Sequence, residues 1–193
     1  MRAKTINTFI DCDPYLGTFW NHAVGAYIKR GDADGALAVV DTMPDTEGRF
    51  FLFDRQVVAL LMQGKPDEAR SVVDIFVESP ISKGMNRALI ASAAGDIETA
   101  RKEAAALEAR DDLNDMNRIV LYARMGDREQ ANAAASRIDA MPLGHGVLNM
   151  ATYWCDCGAP FDADAAPDYL ARWTEAELPW PPPSPLPLPL KDW

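Results

Sequence analysis

A repeat with a period of 31 to 33 residues runs through this chain of 193 residues. Its two clearest copies, residues 85–100 and 116–131, both begin Met-Asn-Arg and both carry Gly-Asp ten residues after the methionine. An alanine follows each of these glycines by five residues, and the same offset recurs at three more places. The five glycines lie 33, 31, 31 and 32 residues apart: Gly31, Gly64, Gly95, Gly126 and Gly158. A period in this range is typical of stacked helical hairpins, since no hairpin can bury its apolar face alone.

Helical spacing of apolar residues surrounds each glycine. Positions eleven, seven and four before it trace one face of a helix with 3.6 residues per turn. In order of the copies they are Trp20, Val24 and Tyr27; Phe53, Val57 and Leu60; Gly84, Ala88 and Ala91; Asp115, Ile119 and Tyr122; Val147, Ala151 and Trp154. Positions nine and twelve after the glycine predict the buried stripe of a second helix: Val40, Met43, Val73, Phe76, Ala104, Leu107, Ala135 and Ile138.

The turn between the two helices is also predicted from the sequence. Glycine readily adopts the left-handed conformation that ends a helix, and the Asp that follows it in several copies can cap the next helix. The sequence therefore predicts an all-α fold.

The first copy, with Trp20, Tyr27, Gly31, Ala36 and Pro44, resembles the signature of the tetratricopeptide repeat family. The resemblance covers about residues 17–178. It implies a right-handed α-solenoid of antiparallel helix pairs whose first helices line a concave side. The predicted hairpins span about residues 17–49, 50–80, 81–111, 112–143 and 144–178.

Both ends of the chain depart from the repeat. Residues 1–16 are weakly patterned and are interpreted as an arm or linker, or as the scar of truncation from a larger protein. Pro160 and Pro167 interrupt the fifth copy, so a terminal helix is predicted to begin near Pro167. Residues 179–193 contain seven of the fourteen prolines and predict a polyproline tail. Because Trp180 and Trp193 are too apolar for a solvated linker, packing of this tail against the repeats is favoured.

Composition narrows the classes of partner. A net charge of −10 argues against nucleic acid or an anionic membrane, because phosphate groups are bound by clustered Lys and Arg. No run approaches the ~18 apolar residues of a membrane span, and no signal peptide is evident at the start. Three cysteines, an odd number without framework spacing, do not indicate a disulfide scaffold. We therefore expect a cytoplasmic protein.

The candidate binding residues lie nine and two positions before the glycines. By the resemblance, this face lines the concave groove, with Val58, Leu89 and Val120 as its apolar floor. The Asn ladder in consecutive copies offers donors and acceptors to an extended peptide, or is a relic of repeat duplication. The cations suit an acidic peptide or a C-terminal carboxylate, although Asp54 and Asp156 leave a solvated mixed surface open. The candidates are His22, Lys29, Arg55, Asn86, Asn117, Arg124 and Asn149.

The predicted function is a non-catalytic adaptor that binds a peptide or partner protein in the groove. Neither a nucleophile beside a base nor a metal-ligand spacing is evident, so no enzyme activity, cofactor or metal is expected. One alternative is a sensory or oligomerising domain of a larger regulator, such as a transcriptional regulator. Another is a small-molecule-binding domain closed by the tail. A homodimer formed through the tail is a further expectation.

Overall fold

A computed structural model describes residues 17–43, 52–76, 79–155 and 158–181. The predicted N-terminal arm and residues 182–193 of the predicted tail lie outside these ranges. The described residues form ten α-helices and one short 3₁₀ helix, without a strand among them. The all-α prediction is confirmed.

The helices are numbered in chain order. They are α1 (Gly17–Ile28), α2 (Ala33–Thr42), α3 (Phe53–Met62), α4 (Pro66–Phe76), α5 (Pro80–Ala93), α6 (Ile97–Glu108), α7 (Asp115–Met125), α8 (Arg128–Asp139), α9 (Gly144–Cys155) and α10 (Pro167–Glu175), with the 3₁₀ helix at Ala163–Ala165. The terminal helix begins at Pro167, as the sequence predicts. It ends at Glu175, three residues before Leu178.

Consecutive helices pack as hairpins, and the hairpins contact one another in series. The most extensive contacts join α1 to α2, α3 to α4, α5 to α6, and α7 to α8. The first helices also touch in order, from α1 to α3, α5, α7 and α9. The helix α10 packs instead on α8 and on the 3₁₀ helix.

Local chemistry at the turns explains where the helices begin and end. All five repeat glycines have φ between 72° and 79°, the left-handed region in which a side chain is strained. Three aspartates follow such glycines and cap the next helix through a side-chain oxygen. Asp32 accepts from the Gly35 amide at 2.8 Å, Asp96 from Thr99 at 3.0 Å, and Asp127 from Gln130 at 3.2 Å.

The predicted packed face is confirmed at the position seven before the glycine, and it is wrong at two positions of the fifth hairpin. Tyr27, Gly84 and Asp115 on this face are half-buried. The residue seven before the glycine is fully buried in every copy: Val24, Val57, Ala88, Ile119 and Ala151. By contrast, Val147 and Trp154 are 36% and 48% exposed. No further hairpin follows α9 in the described residues, so nothing there covers these side chains. The second-helix stripe is buried at every position whose side chain the structure describes.

The end of the described chain packs on the last helix. The Trp173 indole donates a hydrogen bond of 3.0 Å to the Pro179 carbonyl, and Trp180 lies within 5.5–6.1 Å of the rings of Phe161, Tyr169 and Trp173. Asp139 caps α10 from a distance by accepting from the amides of Asp168 and Tyr169. The first residues of the predicted tail therefore pack on the last helix, and the prediction for residues 182–193 lies outside the described residues.

Two further expectations concern membrane-spanning segments and disulfide bonds. Within the described residues, none of the helices has both the length and the apolar character that crossing a bilayer requires. Cys155 is buried and disulfide-bonded. The sequence indicated no disulfide framework, and a bond at Cys155 was not foreseen.

Candidate functional site: a cationic cluster around Tyr153

Three of the predicted cationic residues meet at the side chain of Tyr153 on α9. The Tyr153 hydroxyl shares a hydrogen bond with Nδ1 of His22 on α1. The Lys29 ammonium lies 4.2 Å from the centre of the Tyr153 ring, and the Arg55 guanidinium carbon lies 5.5 Å from it. We call these four residues, His22, Lys29, Arg55 and Tyr153, the cationic cluster.

Helical spacing places two residues of the cluster on one face, and Arg55 packs against that helix. His22 and Lys29 are seven residues apart, which is two turns and therefore one face of α1 and its end. Arg55 of α3 lies so close to α1 that a Cβ at Gly25 would be in ordinary van der Waals contact with its guanidinium carbon, at 3.6 Å. Its Nε donates to Oδ1 of Asn21 at 3.4 Å.

The electrostatics of the cluster are set by burial and by the mutual repulsion of its positive charges. Burial, then the Arg55 charge, lowers the pKa of Lys29. Burial, then Arg55 and Lys29, lowers the pKa of His22 below 6.5. The pKa of Arg55 is lowered by burial as well, against the opposing effects of Tyr153 and Asp54. Each cation thus makes the next harder to charge, and a bound carboxylate would reverse this effect.

Behind the cluster lies a buried polar network centred on Asp54. The Asn86 amide donates to Oδ1 of Asp54 at 2.5 Å and to the Ser82 carbonyl at 2.9 Å. Arg124 donates to the carbonyls of Trp154 and Cys155 at 3.0 and 3.2 Å and so holds the end of α9. Burial lowers the pKa of Arg124 to about 10, while the Asp54 charge opposes this.

The predicted site residues differ in burial and in the contacts that they make. His22 is exposed and Lys29 half-buried in the cationic cluster, whereas Arg55, Asn86 and Arg124 are only 5%, 1% and 7% exposed. The half-buried Asn117 and the exposed Asn149 belong to neither the cluster nor the network. Asn149 accepts a hydrogen bond of 2.8 Å from the Tyr169 hydroxyl. Within the described residues, no hydrogen bond joins the side chains of the three asparagines.

The supposed apolar floor of the groove is part of the core. Val58, Leu89 and Val120 are at most 5% exposed. Of the cationic cluster, His22 is exposed and Lys29 half-buried, so these two side chains are accessible on this face.

Sequence reasoning missed Tyr153. It lies five residues before Gly158, and the same position in the other copies holds only apolar residues: Ala26, Ala59, Ile90 and Leu121. A hydroxyl at a position that is otherwise apolar is a signal that could have marked it. Its contact with His22 spans 131 residues of chain, which no local pattern encodes.

A second concave region, of about 860 Å³, lies between α6, α7 and α8. Its charged groups neutralise one another. Arg118 pairs with Glu108 and Asp115, and Arg137 pairs with Asp115 at 2.7 Å. The Tyr122 hydroxyl donates to Glu108 at 2.9 Å. Three basic and three acidic side chains line the region, so its net charge is zero. In the part of the chain that the structure describes, no three His, Cys, Asp or Glu side chains are grouped to hold a metal.

No protein-family model matches the chain, and no curated protein or solved structure was found to match it. The functional argument therefore rests on the cationic cluster itself.

Proposed function

We propose that the chain is a non-catalytic adaptor that binds an acidic peptide segment or a free C-terminal carboxylate at the cationic cluster. The scaffold that we propose is a right-handed solenoid of five helical hairpins similar to tetratricopeptide repeats. Support for this arrangement comes from the five left-handed glycines, which are spaced 31 to 33 residues apart, and from the serial contacts of the first helices.

The observation that carries the proposal is the meeting of His22, Lys29 and Arg55 at one aromatic side chain. The protein as a whole has a charge of −10, so a local excess of cations stands against the general surface. Such a site attracts anions while the remaining surface repels them, which favours a small acidic segment over a polyanion.

The Asp54 carboxylate already supplies part of the negative charge that the buried cations of the site attract. Its carboxylate lies beside Arg55 and opposes the burial-driven lowering of the Arg55 and Arg124 pKa values. Among the described residues, no carboxylate contributes to the pKa shifts of Lys29 and His22. We therefore assign first contact with a ligand carboxylate to Lys29, with Arg55 as a buried support.

The test is a titration with a short peptide that carries three Asp residues and a free C-terminus. Two matched peptides, one amidated at the C-terminus and one with Asn in place of Asp, report which carboxylate is read. Charge-assisted hydrogen bonds are worth roughly 1.5–3 kcal/mol, so Lys29→Gln should weaken binding by about tenfold or more. The exposed Lys102 on α6 gives the matched control, Lys102→Gln, which should bind like the wild type.

Equal binding of the acidic and the Asn-substituted peptides would contradict the proposal. So would a Lys29→Gln variant that keeps the wild-type affinity. Raising the salt concentration should weaken binding, because exposed charges are screened over about 8–10 Å at physiological ionic strength.

A cytoplasmic setting stays a prediction. Disulfides persist mainly in oxidising compartments, so the redox state of Cys155 in protein isolated from its source distinguishes the settings. A free thiol agrees with the cytoplasm, and an intact disulfide contradicts it.

A further inference from the structure

The face of α9 that points away from the core carries a stripe of exposed apolar side chains. Leu143, just before the helix, is 92% exposed; Val147, Met150 and Trp154 are 36%, 47% and 48% exposed. Their spacings of four, three and four residues place them on one side of the helix. We call these four residues the outer stripe.

The repeat register explains why this face is open. The residue four before the glycine is 5%, 6% and 9% exposed in the second to fourth copies, as Leu60, Ala91 and Tyr122. Leu60 shares a core cluster with Leu89 and Ile90 of the next hairpin, and Tyr122 shares one with Cys155. Trp154 holds the equivalent position on α9, where the following helix, α10, packs on α8 instead. Trp154 thus holds an inter-hairpin contact position, and within the described residues no further hairpin covers it.

The charge distribution indicates what can cover it. The twelve residues of α9 include no Asp, Glu, Lys or Arg, in a chain of which these four residue types make up 25%. Two copies of a protein with a charge of −10 repel each other, and this cost is lowest where the contact surfaces are uncharged. Terminal repeats of an array ordinarily present a polar outer face, and here that face is apolar.

We infer that two copies of this chain pair through the outer stripe, with α9 of one copy packed against α9 of the other. A two-fold arrangement uses the same surface on both copies. It covers the outer stripe of each copy with that of the other. The inference does not depend on peptide binding at the cationic cluster.

The start of the tail lies on a different side of α9. Trp180 packs beside Tyr169 and Phe161, and Tyr169 in turn contacts His145 and Asn149 of α9. At about 100° per residue, those two residues point roughly 130–170° away from the outer stripe. The second copy is therefore favoured over the tail as the occupant.

The surface is small, so the expected dimer is weak. A stable interface buries about 800 Å² per partner, and one helix face supplies only part of that. We expect dissociation constants in the micromolar range rather than a permanent dimer.

Sedimentation of the full chain over a concentration series, from about 1 µM to about 1 mM, tests the inference. The mass should rise from 21.2 kDa towards twice that value. Met150→Asp places a charge in the stripe and should weaken the dimer by at least about tenfold. Ile97 on α6 is 45% exposed, close to the 47% of Met150, so Ile97→Asp is the matched control and should leave the dimer intact.

Any of three results would overturn the inference. They are a wild type that stays at 21.2 kDa at every concentration, a dimer that survives Met150→Asp, and an Ile97→Asp substitution that disrupts the dimer as much as Met150→Asp does. Leu188→Asp in the full chain separates the alternatives further. If that variant alone dissociates the dimer, the copies pair through the tail. Circular dichroism of each variant establishes that a loss of dimer is not a loss of fold.

Discussion

Tyr153 and Trp154 are neighbours in α9, yet they belong to surfaces of opposite character. Tyr153 turns inward to a place where three cations meet, and its hydroxyl contacts a helix 131 residues earlier in the chain. Trp154 turns outward and is 48% exposed among other apolar side chains. The helix α9 therefore separates a surface suited to binding charged groups from a surface suited to apolar contacts.

A third face of α9 makes this separation stable. Leu148 and Ala151 are fully buried, and they belong to a core cluster that includes Ile119 of α7 and Ile138 of α8. Arg124 fixes the end of the helix through the carbonyls of Trp154 and Cys155. The comparison teaches that the two candidate surfaces depend on the same core but should be separable by substitutions on either side of it.

The largest loss of stability is expected from a substitution in the core beneath α9, because both surfaces depend on the position of this helix. Leu148→Ala removes a fully buried side chain, and such changes cost about 2–5 kcal/mol of unfolding free energy. Val147→Ala, at the neighbouring and 36% exposed position, should cost less than about 1.5 kcal/mol. Denaturant unfolding of the two variants measures the difference. Equal losses would mean that α9 is not anchored by Leu148.

The next substitution is expected to change the unfolding free energy and the peptide affinity in opposite directions. Asp54→Asn keeps the shape of the side chain but removes the charge that favours the ionised forms of Arg55 and Arg124. Unfolding free energy should fall by about 1–3 kcal/mol, since buried cations lose a counter-charge. Affinity for the acidic peptide should rise several-fold, on the order of 3-fold or more, because a competing carboxylate is gone. A fall in both quantities would exclude Asp54 as a competitor of the ligand.

A smaller effect is expected at Tyr153. Tyr153→Phe removes the hydroxyl that contacts His22 but keeps the ring beneath Lys29. The loss of one partly exposed hydrogen bond should cost about 1 kcal/mol in a denaturation experiment. The outer stripe should not respond, so the dimer should be as strong as in the wild type. A weakened dimer would show that the two faces of α9 are coupled.

The smallest effect concerns pH. The pKa of His22 is lowered from 6.5, so the folded protein binds this proton less readily than the unfolded chain. Stability from this group is fully present above the unfolded pKa, near 6.5, and is lost as the pH falls through the lower folded pKa. Titration of the His22 ring by nuclear magnetic resonance should give a midpoint below 6.5, and acidic peptide should raise it. A midpoint at or above 6.5 in the free protein would contradict the excess of positive charge.

The repeat pattern accounts for the local features of the fold and for little of the site. Gly126 and Asp127 determine a turn by themselves, because the left-handed conformation and the cap are chemical properties of those residues. The buried Ala151 follows from helical spacing alone. The convergence on Tyr153 does not, since it depends on how far successive hairpins turn before α9 meets α1. Trp154 is exposed although its position in the repeat predicts burial, because no further hairpin packs on α9 in the part of the chain that the structure describes.

The asparagines show the same limit. Asn86, Asn117 and Asn149 occupy equivalent positions, yet one is buried against Asp54, one is half-buried and one bonds to Tyr169. Equivalent positions in sequence have different surroundings because the ends of the array differ from its middle.

The most direct test of the account is one peptide titration on two variants with substitutions on either side of α9. Lys29→Gln changes the cationic cluster, and Met150→Asp changes the outer stripe. The account predicts that Lys29→Gln weakens binding of the acidic peptide by about tenfold or more, while Met150→Asp binds it as the wild type does. A Met150→Asp variant that loses as much affinity as Lys29→Gln, or a Lys29→Gln variant that loses none, would contradict it.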